Sequence, residues 1–344
     1  MELKEIHDKG LWDDFVTSQQ NHSFLHAWAW GVLNESEGDR VWRFGTYDGA
    51  TLVAVALLIK VRARRGNFFF IPHGPIVKDN HRGEKDTQHI LQVFLDEFKR
   101  MGKKENVNFI RISPLLERTN AHKKIFKALG FRAAPIHMHA EVAWTLHLDK
   151  NNEELLMDMR KTTRNLIRRA KRDEVEIISG TSKKYIDEFF KLYSETARHH
   201  NFVPFSYDYI EHEISAFAAE GDAKVYLAKW EGKTLSSAIV IFYGHSAFYH
   251  HGANSAEHQK IPAAYMLQWR AIQEAKNRGK KNYNFWGIAE DEENKSHPWH
   301  GLTFFKKGFG GQRTEYVHAQ DMPLNKKYWI NYAIDSIRRI RRGI

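Results

Sequence analysis

Two adjacent lysines interrupt an aromatic segment near the end of the chain, in LTFFKKGFGG at residues 302–311. A lysine held against an aromatic wall is partly desolvated, and desolvation strengthens the field of its ammonium on a developing negative charge. One of these lysines is therefore suited to stabilise an oxyanion or a leaving oxygen. The alternative is a strand end with two solvated lysines, followed by glycines that shape a turn.

A run of cations occupies the middle of the chain. The segment RKTTRNLIRRAKR, residues 160–172, carries seven Lys or Arg residues and no acid. On a helical wheel, one apolar arc comprises Leu156, Met159, Thr163, Leu166, Ile167 and Ala170. The adjoining face comprises Arg160, Arg164, Arg168 and Lys171, with Lys161 and Arg172 beside them. Like charges four residues apart repel each other, and contact with phosphates turns this repulsion into counterion release. We favour contact with RNA or phosphate, and a solvated helix face is the alternative.

The composition indicates real hydrophobic cores and a basic surface. A length of 344 residues suggests about two domains, and the 42% hydrophobic content excludes wholesale disorder. Lys and Arg exceed Asp and Glu by 52 − 42 = 10, which favours polyanionic partners. A second basic cluster follows at Arg338, Arg339, Arg341 and Arg342. It suits tRNA or an anionic membrane surface, and a frayed basic tail is the alternative.

Cysteine is absent, which excludes disulfides, thiolate catalysis and cysteine-based metal sites and suits a reducing compartment. The charged start MELKEIHDKG lacks the apolar stretch of a secretory signal. The longest apolar run, residues 52–59, is too short to span a bilayer. We therefore expect a soluble, cytoplasmic protein.

The chain repeats itself in order. YDGATLVAVALLIK at 47–60 resembles WEGKTLSSAIVIFY at 230–243, and both predict a hairpin around a turn dipeptide. NVNFIRI at 106–112 resembles NYNFWGI at 282–288, each after an amphipathic helix, at roughly 88–102 and 263–279. FKALGF (126–131) and FKKGFGG (305–311) close the two halves. The order hairpin, strand, helix, strand predicts an α/β (α+β) fold with a mixed sheet, built twice by duplication.

Each half resembles the acyl-CoA N-acyltransferase (GNAT-like) fold. GNAT-like proteins that bind CoA carry a glycine-rich loop at a helix start, where backbone N–H groups hold the pyrophosphate. Neither NHRGEKDTQ (80–88) nor EHQKIPAAY (257–265) has such a loop. A CoA donor is therefore disfavoured, whereas acyl transfer from another donor stays open.

Segments along nearly the whole chain resemble the FemABX family, the tRNA-dependent aminoacyltransferases that build peptidoglycan cross-bridges. They are SFLHAWAWGVL (23–33), the Tyr47-Asp48-Gly49 turn, FIPHGPIV (70–77), MRKTTRNLIRRA (159–170), YHHGANS (249–255), YMLQWRAI (265–272), YNFWGI (283–288) and FFKKGFGG (304–311). The resemblance implies two GNAT-like domains without a coiled-coil arm. The first spans 1–148 plus 318–344 and binds the precursor, and the second spans 149–317 on the aminoacyl-tRNA side.

The resemblance also implies the reaction, in which an amino group of a peptidoglycan precursor attacks the ester of an aminoacyl-tRNA. Aminoacyl-tRNA is the co-substrate, and no other cofactor is expected. The precursor is UDP-linked or lipid-linked, the enzyme is expected to be a monomer, and contact with the inner membrane face is open. Two other functions stay open: a GNAT-type N-acyltransferase that uses a thioester, and a non-catalytic RNA-binding module.

Site residues follow from the same resemblance. Lys306 matches the lysine of the family's Phe-Lys pair and is the predicted catalytic cation, with Lys307 as its solvated neighbour. The predicted substrate-binding residues are Phe305, Tyr209, Tyr249, His251, Trp30 and Arg111. The predicted tRNA-binding residues are Arg160, Lys161, Arg164, Arg168 and Lys171. His251 stands where relatives often carry Tyr, and Phe205 stands where many carry Arg.

Twenty histidines raise the question of a metal site. The pairs His199-His200 and His250-His251 are adjacent in sequence, so their side chains should diverge in regular structure. No HExxH spacing occurs. No metal is therefore expected.

Overall fold

The structure, a computed structural model, describes residues 1–63, 66–81, 83–200 and 202–342. Its strands are β1 (Glu2–Glu5), β2 (Arg40–Asp48), β3 (Thr51–Val61), β4 (Asn67–Ile71), β5 (Ile76–Val77), β6 (Val107–Ile112), β7 (Arg132–Ala133), β8 (Val142–His147), β9 (Glu176–Gly180), β10 (Ala223–Trp230), β11 (Lys233–Tyr243), β12 (Ser246–Asn254), β13 (Asn282–Gly287), β14 (Gln312–Glu315) and β15 (Gln320–Pro323). Its helices are α1 (Lys9–Ser18), α2 (Trp28–Ser36), α3 (Glu84–Lys104), α4 (Asn120–Ala128), α5 (Asn152–Asp158), α6 (Lys161–Arg172), α7 (Lys183–His200), α8 (Tyr207–Ala218), α9 (Ala263–Asn277), α10 (His300–Lys307) and α11 (Tyr328–Arg342).

The chain divides into two compact units. One unit comprises Met1–Val142 and Thr314–Ile344, and the other comprises Ala143–Arg313. The sequence predicted divisions after residues 148 and 317. Each unit carries its own sheet and its own hydrophobic core, as two domains of this size require.

The sheet of the first unit has the strand order β1-β2-β3-β4-β6-β15-β7, with β5 paired to β3. The strands β2 and β3 form the predicted hairpin, and Gly49 occupies the left-handed region with φ +58° at its turn. The strands β4 and β6 are parallel. They are joined by α3, whose predicted apolar face is buried at Ile90, Leu91, Phe94, Leu95, Phe98 and Met101.

The sheet of the second unit has the order β14-β8-β13-β12-β11-β10-β9. It repeats the hairpin in β10 and β11, and Glu231 and Gly232 both have positive φ at its turn. The parallel pair recurs as β12 and β13, joined by α9. The order hairpin, strand, helix, parallel strand thus occurs twice, and the predicted mixed α/β fold from two similar halves is confirmed.

One local prediction is wrong. The apolar arc and the basic segment do not lie on one helix from residue 156, because the chain leaves helical geometry at Met159, where ψ is 152°. Residues 156–158 belong to α5, and the basic segment forms α6 after Arg160. The alternative of a strand end for FKKGFGG does not hold either, because Phe305, Lys306 and Lys307 lie at the end of the helix α10. FKALGF also ends a helix, α4, and Gly130 follows with φ +85°.

Within the described residues, no helix has both the length and the apolar character needed to cross a bilayer.

Candidate active site

The predicted catalytic cation is buried. Lys306 lies in the last turn of α10 and is 4% exposed. Its Nζ donates a hydrogen bond of 2.6 Å to the carbonyl oxygen of Gly287 and lies 5.8 Å from the ring centre of Tyr249. Burial lowers the pKa of the Lys306 amine from 10.5 to about 7. The amine therefore exchanges a proton near neutral pH, with an aromatic ring on one side.

Aromatic packing and one hydrogen bond fix the position of α10. Phe305, half-buried beside Lys306, packs edge-on against Tyr265 and Phe309, with ring centres 4.9 and 5.2 Å apart. The buried hydroxyl of Thr303 accepts a hydrogen bond of 2.9 Å from the backbone N–H of Ala289. Because Phe305 packs on one side of the helix and Thr303 is hydrogen-bonded on another, the Lys306 side chain is directed inward.

The Lys306 amine lies where two strands part. The strands β12 and β13 pair only from Ser246 to Phe248, although both continue beyond this stretch. A register shift within β13 then leaves Trp286 in the left-handed region with φ +68°, and the Gly287 carbonyl follows it. Strained backbone of this kind often marks a functional site. Beyond Phe248 the two strands no longer pair, and this opening leaves the Gly287 carbonyl to accept from Lys306 instead of from a neighbouring strand.

The second lysine, Lys307, is partly exposed and forms an ion pair. Lys307 forms an ion pair with Glu292, whose other carboxylate oxygen lies 2.9 Å from Nη1 of Arg313. Burial raises the pKa of Glu292, but its hydrogen bonds with Lys307 and Arg313 outweigh this and lower it. Lys307 therefore anchors α10 through this ion pair, while its side chain stays 37% exposed.

The glycines after Lys307 serve close packing within the chain. A Cβ on Gly308 would lie 2.4 Å from Oγ1 of Thr163 on α6. A Cβ on Gly311, where φ is +98°, would lie 2.5 Å from the carbonyl oxygen of Thr145 on β8. These glycines hold the end of α10 against α6 and β8.

An aromatic group lies on the other face of the same sheet. Tyr249 points into the core beneath α9, whereas His251 contacts the rings of Phe189 and Tyr193 on α7. Phe205, which precedes α8, and Tyr209, in the first turn of α8, complete the group. The ring of Phe205 stacks on Tyr209 with centres 4.4 Å apart and meets His251 edge-on at 5.6 Å. The structure thus brings together the predicted substrate residues Tyr209 and His251.

A bulge in β12 overturns the prediction that His250 and His251 diverge. Ile239 pairs with His251 while Val240 pairs with Tyr249, so His250 is an extra residue in its strand. Both imidazoles therefore point to one face, with ring centres 4.0 Å apart. The buried carboxylate of Glu213 on α8 meets both, at 2.9 Å from each Nε2.

Glu213 was missed by sequence reasoning. Burial raises its pKa, but the two imidazoles outweigh this and hold the pKa of Glu213 far below its usual range. Burial also lowers the pKa of His250. The one signal in the sequence is that Glu213 follows Tyr209 by a single helical turn.

The basic helix divides its cations between two tasks. Arg160 stacks on Phe304 at 3.8 Å from the ring centre, and Arg164 donates to the carbonyls of Met157 and Met159 at the end of α5. These two cations therefore serve packing and helix capping. The other three predicted tRNA-binding residues are exposed and form the cation triad of α6: Lys161, Arg168 and Lys171.

The two predicted substrate residues of the first unit are buried among structural partners. Trp30 lies on α2 and packs edge-on against Phe24 and His139. Arg111 is 3% exposed and forms two hydrogen bonds, of 2.7 and 2.8 Å, with Asp321. Burial lowers the pKa of Arg111, but the Asp321 carboxylate outweighs this and raises it. The structure gives both residues contacts that hold the core.

The last helix, α11, carries exposed apolar and basic residues together. Trp329, Ile330 and Ile337 are at least half exposed, and Arg338 and Arg339 are exposed beside them. The predicted contributions of Arg341 and Arg342 lie outside the described side chains.

The fold and the site define the class. A tandem GNAT protein from the clavulanic acid biosynthesis pathway shares this fold, with a TM-score of 0.57 and 11% identity over 94% of this chain and 99% of that one. The crystal structure of FemX matches with a TM-score of 0.83 and 20% identity, over 96% of this chain and 99% of that one. The architecture is therefore a tandem GNAT-like fold.

Sequence comparison identifies the family. The profile of the FemAB family matches residues 9–234 and 231–336. The lipid II:glycine glycyltransferase of Staphylococcus aureus (strain MRSA252) is 22% identical over 392 residues, which cover 91% of this chain and 91% of that protein. The chain belongs to the FemAB family. This confirms the predicted family and, with it, the enzyme class, an aminoacyltransferase.

Proposed function

We propose that this protein transfers an amino acid from aminoacyl-tRNA to an amino group in the stem peptide of a peptidoglycan precursor. The observation that carries the proposal is the buried Lys306 amine at the opening between β12 and β13, in a chain of the FemAB family. Aminoacyl-tRNA is the co-substrate, and the enzyme acts as a monomer.

The two faces of the sheet suit two different reactants. The face under α9 and α10 carries Lys306 and adjoins α6, whose cation triad is exposed to a polyanion. The acceptor stem of tRNA is the reactant suited to that face, because its phosphates release counterions on contact with such cations. The opposite face carries Phe205, Tyr209 and His251, which suits the apolar and amide groups of a peptide.

Lys306 has a defined part in this reaction. The acceptor amine attacks the ester carbonyl, the carbon–nitrogen bond forms, and the carbon–oxygen bond to the ribose breaks as the amine proton passes to the leaving oxygen. Negative charge develops first on the carbonyl oxygen and then on that ribose oxygen. A buried ammonium stabilises such charge more than a solvated one does, because little water screens it. Tyr249 forms the wall that keeps water from the amine.

A lipid-linked precursor is the acceptor that the surface of the first unit favours. The apolar side chains of Trp329, Ile330 and Ile337 are exposed on α11 together with Arg338 and Arg339. Such a helix suits the boundary of an anionic membrane, where aromatic and apolar side chains enter the headgroup layer and cations meet phosphates. The glycyltransferase of S. aureus that this chain resembles is named for lipid II. Peripheral contact with the inner membrane face follows.

The test is a transfer assay with a pool of charged tRNAs and with UDP-linked and lipid-linked precursors, read by mass spectrometry of the product. We expect one amino acid to be added to the precursor in a tRNA-dependent manner. The variant Lys306→Met should turn over at least about tenfold more slowly, because one oxyanion donor contributes on the order of 100-fold or more.

The variant Lys307→Met is the matched control, because it removes the neighbouring amine, which forms an ion pair with Glu292. Full activity of Lys306→Met would remove Lys306 from the mechanism. Transfer from acetyl-CoA in place of charged tRNA would move the protein to the thioester-dependent class. Absence of product with every charged tRNA and both precursors would refute the proposed reaction.

A further inference from the structure

The face opposite Lys306 contains a cluster in which His251 is joined by Glu213 and His250, two residues that have no part in the proposed transfer reaction. Among the described residues, Glu213, His250 and His251 are the group whose potential metal-ligand atoms converge, all within 4.8 Å of one another. The side chains are 0%, 10% and 7% exposed, respectively. Converging imidazole nitrogens and a carboxylate in a nearly closed site are the donor set of many zinc and other transition-metal centres.

The backbone is shaped to make this convergence possible. Consecutive residues of a regular strand point to opposite faces, and the extra residue His250 in β12 cancels that alternation. Both Nε2 atoms then face α8, where Glu213 stands with its two oxygens 2.9 Å from one nitrogen each.

One oxygen atom of the cluster, Oε1 of Glu213, lacks a well-directed hydrogen-bond donor among the described residues. Glu213 Oε2 is hydrogen-bonded by His251, but Oε1 accepts no hydrogen bond of good geometry from the described residues, although Nε2 of His250 lies 2.9 Å away. A fully buried carboxylate oxygen without a well-directed donor is costly.

We propose that Glu213, His250 and His251 form a binding site for one divalent transition-metal ion, with zinc as the first candidate. Three protein ligands leave a coordination position for water or a substrate oxygen. The rings of Phe205 and Trp286 flank the histidines and limit access of bulk water.

The experiment is a titration of the full chain, stripped with EDTA and dialysed, with Zn²⁺ against a chromophoric chelator. A parallel titration with Co²⁺ reads the ligand-field absorption. We expect one equivalent to bind, with Co²⁺ bands of a low-coordinate nitrogen–oxygen site. The variants Glu213→Gln and His251→Gln should each weaken the affinity by roughly a hundredfold or more.

The matched control is the double variant His199→Gln/His200→Gln, which removes an exposed adjacent histidine pair at the end of α7. It should retain the equivalent of bound metal. If the wild-type chain binds no metal, or if binding survives Glu213→Gln and is lost in the control, the proposal is overturned. Circular dichroism of each variant tests whether it is folded, and the wild-type stoichiometry decides the proposal even if a variant unfolds. None of these outcomes depends on transfer activity.

Discussion

Burial of the Lys306 ammonium lowers the free energy of unfolding, and the size of this effect can be measured from the pH dependence of stability. The pKa of the amine falls from 10.5 to about 7 on folding, so between these values the unfolded chain holds a proton that the folded chain has released. Stability rises with pH wherever the unfolded state binds more protons. Below pH 7 both states hold the proton, and the full cost of the buried ammonium is present.

The magnitude follows from the size of the shift. One pKa unit corresponds to 1.36 kcal/mol, so a shift of about 10.5 − 7 = 3.5 units corresponds to roughly 5 kcal/mol in total. Between pH 7 and pH 10 this single proton should raise the free energy of unfolding by about 3–4 kcal/mol. The variant Lys306→Met keeps a similar volume and has no proton to release.

The assay is urea unfolding of the wild type and of Lys306→Met at several pH values from about 5 to 10. All other titrating groups are common to both proteins, so their contributions cancel in the difference between the two free energies of unfolding. We expect this difference to be level below pH 7 and then to change by about 3–4 kcal/mol up to pH 10, in favour of the wild type.

The lost hydrogen bond to Gly287 adds a constant offset on the order of 1 kcal/mol and does not alter the slope. The control Lys307→Met removes an amine that is not buried, and its difference from the wild type should lack this slope. Parallel curves for wild type and Lys306→Met would show that the amine is not desolvated in the folded protein. The account of Lys306 as a low-dielectric cation would then be refuted.

Three further outcomes are expected. The variant Gly308→Ala should lose about 1–3 kcal/mol of unfolding free energy, since its Cβ would meet Oγ1 of Thr163, and urea unfolding should show part of the loss restored by adding Thr163→Ala. Arg111→Met should lose about 3–5 kcal/mol in the same assay, because it leaves the Asp321 carboxylate buried without its cation, and Arg111→Met/Asp321→Leu should recover much of that loss. Neutralising the cation triad of α6 should flatten the plot of log affinity for tRNA against log salt concentration by about 2 units of slope, and an unchanged slope would make the triad a solvated face.

The sequence predicted those features that depend on neighbours along the chain. The two hairpins follow from turn dipeptides and flanking β-rich strands, and the buried face of α3 follows from helical periodicity. Lys306 could be singled out because the aromatic residues around it are adjacent in the sequence. Its hydrogen bond to Gly287, by contrast, joins residues 19 positions apart.

The missed features depend on contacts between distant segments. Arg111 looked available for a substrate because Asp321 is 210 residues away in sequence. The end of α5 at Met159 depends on Arg164, whose guanidinium binds the carbonyls that the helix leaves unpaired. The cluster at His250 needs both a bulge and a helix from elsewhere, and neither leaves a periodic signal.

The extra residue in β12 also determines how this strand responds to changes in chain length. Removing one residue from a regular strand reverses the facing of everything beyond it. In β12 the extra residue His250 already places Tyr249 and His251 on opposite faces of the sheet. A chain lacking His250 would therefore regain regular pairing with β11, and Tyr249 and His251 would keep their present faces. The sheet would survive such a deletion, and only the chemistry carried by the paired imidazoles would be lost.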